Sequence, residues 1–138
     1  MPGQMDASSV TELRAAELRR QEAAAPKMLY AMDARCTPGS PVTDVAELTA
    51  LASAAVAAGG GHVLDASHVL FPNGAITLVL ILAESHLSMH TWPEENLIAV
   101  DLFSCGAIDG QHVLDELTAA LRLTQVSIRQ VPRGQPAT

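Results

Sequence analysis

Basic residues are scarce in this chain: Lys and Arg number 8 against 15 Asp and Glu, for a net charge of -7. That sign disfavours nucleic acid as a partner, because phosphate attraction needs clustered cations. It favours a small cationic ligand instead. Long apolar runs are also missing. The longest spans residues 75–83 and is interrupted by Thr77, whereas a membrane-spanning helix needs about 20 apolar residues. The N-terminal stretch carries Glu12, Arg14, Glu17, Arg19 and Arg20 in place of the apolar centre of a secretory signal. Cysteine is limited to Cys36 and Cys105, too few for a disulfide framework. Together these absences predict a cytoplasmic protein with reduced thiols, bound to neither membrane nor nucleic acid.

The chain does have apolar residues, at 49% of 138. That is too many for disorder and enough for one domain with its own core. Residues 7–25 read as a polar helix, with Ser9 and Glu12 at capping-box spacing and only a thin stripe of Val10, Leu13 and Leu18. Pro26 ends it. A strand over 28–36 and a loop through Pro38, Gly39 and Pro41 follow. A second helix opens at Asp44, carries its stripe on Val45, Leu48, Ala52 and Val56, and stops at Gly59, Gly60 and Gly61.

From residue 62 the period changes to that of strands. Strands are predicted over 62–70, 75–83, 85–92 and 96–104, with Pro72-Asn73-Gly74 as a turn. The third helix is capped by Asp109 and runs from 110 to about 123. A last strand covers 124–130. This order predicts an α+β fold, a two-layer sandwich with a mostly antiparallel sheet. It gives a peripheral segment over 1–26, one domain over 27–131 and a loose tail over 132–138. The continuously apolar 75–83 strand calls for cover on both faces. Helices supply one cover and a second copy of the chain the other, so a homodimer is expected.

The candidate chemistry lies between Glu84 and Cys105. On an extended chain His86, Ser88 and His90 share one face, with Leu87 and Met89 on the other. Two histidines and a distant Cys105 are a conceivable ligand set, but the spacing alone favours hydrogen-bonded polar residues and no metal. The helical HExxH pattern does not apply to a strand, and no G-x-S-x-G elbow marks a hydrolase serine. Taken alone, Cys105 reads as a small buried apolar residue.

The run from Leu82 to Glu94, LAESHLSMHTWPE, resembles the processing-site segment of prokaryotic S-adenosylmethionine decarboxylase proenzymes. The run from Ala99 to Gly106, AVDLFSCG, is similar to that family's second block at the expected separation. The resemblance implies a pyruvoyl-dependent enzyme that makes its own cofactor. Ser85 would attack the carbonyl of Glu84, turning the amide into an ester. A base matching His90 would then take the Ser85 α-proton, and β-elimination followed by hydrolysis would release ammonia. The products would be fragments 1–84 and 85–138, the second headed by a pyruvoyl group at position 85. That ketone would form a Schiff base with the substrate amine and act as an electron sink for loss of carbon dioxide. Cys105 would return the proton to the substrate carbon.

Glu94 matches an acidic residue near the family's active site and is a candidate for holding a cationic or hydroxyl-bearing substrate. Phe71, in the turn before the apolar strand, is the candidate adenine platform. Some positions depart from the family pattern. Ala25-Pro26-Lys27 stands where Gly-Arg-His is usual, and Glu95-Asn96-Leu97 replaces Tyr-Gly-Tyr. The expected activity is decarboxylation of S-adenosylmethionine in polyamine synthesis. An arginine or ornithine decarboxylase on the same scaffold is the alternative, and a non-catalytic binding or regulatory relative is a further one.

Overall fold

Two aspartates set where the helices begin. In the computed structural model, which describes residues 26–138 together with Glu12, Leu13 and Glu17, the Asp44 carboxylate accepts from the Glu47 N–H at 3.0 Å. Asp109 accepts in the same way from the His112 N–H. Each satisfies one of the free donors at a helix start. Helix α1 (Val45–Ala58) follows the first cap and α2 (Gly110–Ala120) the second. The expected helix over 7–25 lies, those three positions apart, outside the described residues.

Six strands make one sheet: β1 (Lys27–Arg35), β2 (Val63–Leu70), β3 (Ile76–Leu82), β4 (Ser85–Trp92), β5 (Leu97–Cys105) and β6 (Thr124–Arg133). Their spatial order is β2-β3-β4-β5-β1-β6, and every neighbouring pair is antiparallel. Both helices cover one face, giving the expected two-layer α+β sandwich. Alternate residues of the central strands fill the space between, with Met32, Ile76, Leu78, Leu80, Leu87, Met89, Ile98, Val100 and Leu102 all buried. Leu48, Ala52 and Val56 of α1 and Val113, Leu114 and Leu117 of α2 meet them in the same cluster.

Within the chain the helices cover one face of β3, as expected: Ile76, Leu78, Leu80 and Leu82 are buried, while Ile81 is 46% exposed on the face for which a second copy is expected. Two features differ from the sequence expectation, the end of α2 and the length of β6. Helix α2 stops before residue 123 because Arg122 takes a left-handed φ of 52°. The Leu123 N–H then bonds back to the Thr118 carbonyl, a Schellman closure made without glycine. Strand β6 continues past 131, with Pro132 opposite Met28 and Arg133 opposite Lys27. Proline fits there because β6 is an edge strand and its missing N–H leaves no ladder bond unmade.

Candidate active site

The turn between β3 and β4, residues Ala83 and Glu84, is held by contacts from His62 and Cys105. Glu84 is buried. Its backbone carbonyl oxygen accepts from the Cys105 N–H at 3.1 Å and from the Cys105 thiol at 3.1 Å. Its side-chain carboxylate accepts from the His62 N–H at 2.8 Å and meets His62 Nδ1 at 2.7 Å. Ser85 follows with φ 151°, a region that side chains other than glycine's rarely enter and that costs about 1–3 kcal/mol. The predicted scissile bond therefore sits between a doubly held carbonyl and a strained residue. Cys105 reaches it because β4 and β5 pair with Ser85 opposite Ser104.

The other predicted residues gather at the opposite end of β4. His86, Ser88, His90 and Trp92 lie on the sheet face away from the helices, the buried positions of this strand being Leu87, Met89 and Thr91. His90 Nδ1 lies 3.1 Å from Thr77 Oγ1, since Thr77 is its partner across the β3–β4 ladder. A cleft of about 610 Å³ opens beside them, lined in part by Phe71, Thr77, His90, Trp92 and Glu94. Asn73 Nδ2 donates to Glu94 at 3.4 Å, which ties the loop before β3 to the turn after β4. Phe71 and Glu94, the two predicted substrate contacts, thus share one cleft with His90.

Ser85 and Cys105 do not share that cleft. Five residues of extended chain separate Ser85 from His90, roughly 16 Å. His86 and His90 are about 13 Å apart on the same count, too far to ligate one ion. Among the described residues no group of three or more His, Cys, Asp or Glu is placed to hold a metal. The second thiol, Cys36, is half-buried at the end of β1, and burial pushes its pKa up, which keeps it protonated and a poor nucleophile. No helix among the described residues is long and apolar enough to cross a membrane.

Thr77 and His62 escaped the sequence reading. Thr77 had one signal, as the lone hydroxyl in the apolar run. His62, just after three glycines, had none.

The fold has a solved counterpart. The crystal structure of adenosylmethionine decarboxylase from Aquifex aeolicus superposes with a TM-score of 0.68 over 82% of this chain and 94% of that one, at 24% sequence identity. The likeness defines the fold, the same two-layer sandwich as in that structure. Sequence comparison goes further, since the profile of the S-adenosylmethionine decarboxylase family matches residues 29–134. The chain belongs to the S-adenosylmethionine decarboxylase family. It is 39% identical over 107 residues to the S-adenosylmethionine decarboxylase proenzyme of Symbiobacterium thermophilum, covering 77% of this chain and 81% of that protein. It is 38% identical over 76 residues to the S-adenosylmethionine decarboxylase proenzyme 2 of Bacillus anthracis. The latter match spans 54% of this chain and 62% of the Bacillus protein, less than two thirds of its length.

Proposed function

We propose that this chain is a proenzyme that cleaves itself between Glu84 and Ser85 and then decarboxylates S-adenosylmethionine, with each active site shared by two copies of the chain. The observation that carries the reading is the geometry of the Glu84 carbonyl. When Ser85 Oγ attacks that carbon, negative charge develops on an oxygen that already faces the Cys105 N–H and thiol. Preorganised donors at that position stabilise the charge as it forms. The Ser85 φ of 151° supports the same reading, because conversion of the strained amide to an ester relieves it.

These residues also suit a pyruvoyl group at position 85. The site lies next to a buried thiol, Cys105, with the chain's single lysine, Lys27, opposite Cys105 on the neighbouring strand. Such a group supplies an electron sink for loss of carbon dioxide from an amino acid. Cys105 holds a proton beside it and delivers that proton to the substrate carbon. Phe71 and Trp92 offer aromatic faces for an adenine, and Glu94 a carboxylate for hydroxyl or cationic groups. The relatives described above are named for S-adenosylmethionine, so the arginine or ornithine alternative has no support from them.

Sharing of the site follows from the distance along β4. His90 cannot reach Ser85 of its own chain across roughly 16 Å. The open sheet face exposes Ile81, Trp92 and Val131 at 37–46%, an apolar surface that a second copy would cover. A two-fold axis near Ser88, at the middle of β4, would bring His90 of a second copy toward Ser85, with Phe71 and Glu94 of that copy on the same side. Each homodimer then holds two complete sites.

The test is intact mass and carbon dioxide release on the same preparation. The reading predicts two fragments meeting at residue 85 and gas release from S-adenosylmethionine, but not from arginine or ornithine. A single uncut species after prolonged incubation would contradict it, and release from arginine alone would reassign the substrate.

A further inference from the structure

The Ala83–Glu84 turn contains neither glycine nor asparagine, the residues that tight two-residue hairpins favour. Contacts from outside the hairpin must therefore hold its shape. His62 supplies three of them. Its carbonyl accepts from the Ala83 N–H at 3.0 Å, its own N–H donates to Glu84 Oε1 at 2.8 Å, and its Nδ1 lies 2.7 Å from Glu84 Oε2. The carboxylate it grips is almost fully buried, with a side-chain exposure of 2%, whereas the imidazole is 38% exposed. Burial of a carboxylate is unfavourable unless charged or polar donors meet it. A turn that needed only stability would be served as well by an apolar residue of similar size.

We infer that His62 is a positioning residue for self-cleavage: it clamps the Glu84 side chain and thereby fixes the Glu84–Ser85 peptide in its attack geometry. This deepens the proposed function and rests on it. The clamp acts on a different part of Glu84 from Cys105. Cys105 fixes the carbonyl oxygen and His62 fixes the side chain, so the Glu84 backbone cannot rotate to relax Ser85 from its φ of 151°. A strained conformation persists only when its surroundings over-determine it, and small misplacements of an attacking atom are costly in rate. Once the bond is cut the clamp has no further work, because residue 85 is then no longer joined to residue 84.

His62→Ala keeps the backbone bond to Glu84 and removes the imidazole. It should slow cleavage by about ten- to a hundredfold, the rate equivalent of one hydrogen bond to a charged group. His62→Asn places an amide N–H near the position of Nδ1 and should restore most of the rate. Carbon dioxide release, counted per cleaved chain, should stay within about twofold of wild type in both. Should the alanine variant lose its cooperative melt, the comparison passes to His62→Asn against His62→Asp, which match in size and differ in donor against acceptor; only Asn should cleave. Wild-type cleavage rates in His62→Ala, or no rescue by Asn, would overturn the clamp. An equal loss of turnover per cleaved chain would overturn it as well. Failure of the wild-type chain to cleave would overturn the proposed function, and the clamp with it.

Discussion

The two ends of β4 are built on opposite plans. At the Ser85 end the backbone is gripped: Glu84 is buried, its carbonyl faces two donors from Cys105, and its carboxylate is held by His62. At the Trp92 end the side chains stand in a cleft of about 610 Å³, where His90 has one polar side-chain partner, Thr77. The first arrangement suits chemistry on the protein's own peptide, which requires a single fixed geometry. The second suits a visitor, which requires room, aromatic faces and a few polar contacts. In the proposed function, one end of the strand is where the chain is cut, and the other supplies the cleft and the His90 base. On that proposal, their separation calls for two copies of the chain in each complete site.

The largest effect that sharpens this contrast is expected at Ser85. Ser85→Ala removes the attacking oxygen, so no cut should appear on a denaturing gel and no gas should be released, while the melt stays cooperative because one hydroxyl contributes little packing. Cys105→Ala should separate the two stages. Its backbone N–H still faces Glu84, so cleavage continues more slowly. Turnover should fall by about a hundredfold or more for loss of a general acid, measured as carbon dioxide per cleaved chain. Normal turnover in that variant would remove the thiol from the reaction.

Changes at the cleft's substrate contacts, Phe71 and Glu94, should move affinity and leave the cut alone, in contrast to changes at His90. Glu94→Gln should raise KM about tenfold with cleavage unchanged, the scale of one charge-assisted contact. Phe71→Leu should raise KM by a factor of about three to ten, as loss of an aromatic face removes roughly 0.5–1.5 kcal/mol beyond area. If either variant blocked self-cleavage, the division between substrate contacts and cut would fail.

The fold was legible where local chemistry decides it. Asp44, the glycines at 59–61 and Asp109 mark helix ends through their own backbone preferences, and the strand over 85–92 follows from alternation and Pro93. The end of α2 was not legible, because Arg122 adopts the left-handed conformation that sequence patterns assign to glycine. The apolar run of β3 calls for helices on one face and a second copy on the other, and within one chain the second face is open. In the site, Ser85, Cys105, Phe71, Glu94 and His90 were reached through family resemblance. The resemblance placed them in one list, and the structure places them at two ends of a strand. Thr77 and His62 act through register and turn contacts, which arise only when strands far apart in sequence are paired.

The most direct test mixes two inactive chains. His90→Ala alone should stay uncut, and Ser85→Ala cannot be cut. When the two are unfolded together and refolded, each mixed dimer contains one site with the intact Ser85 of one chain and His90 of the other. About half of the His90→Ala chains should then cleave, the fraction expected from random pairing in a two-fold dimer. A mixture in which the His90→Ala chain stays whole, although mass measurement shows the mixed dimers present, would contradict a site shared between copies.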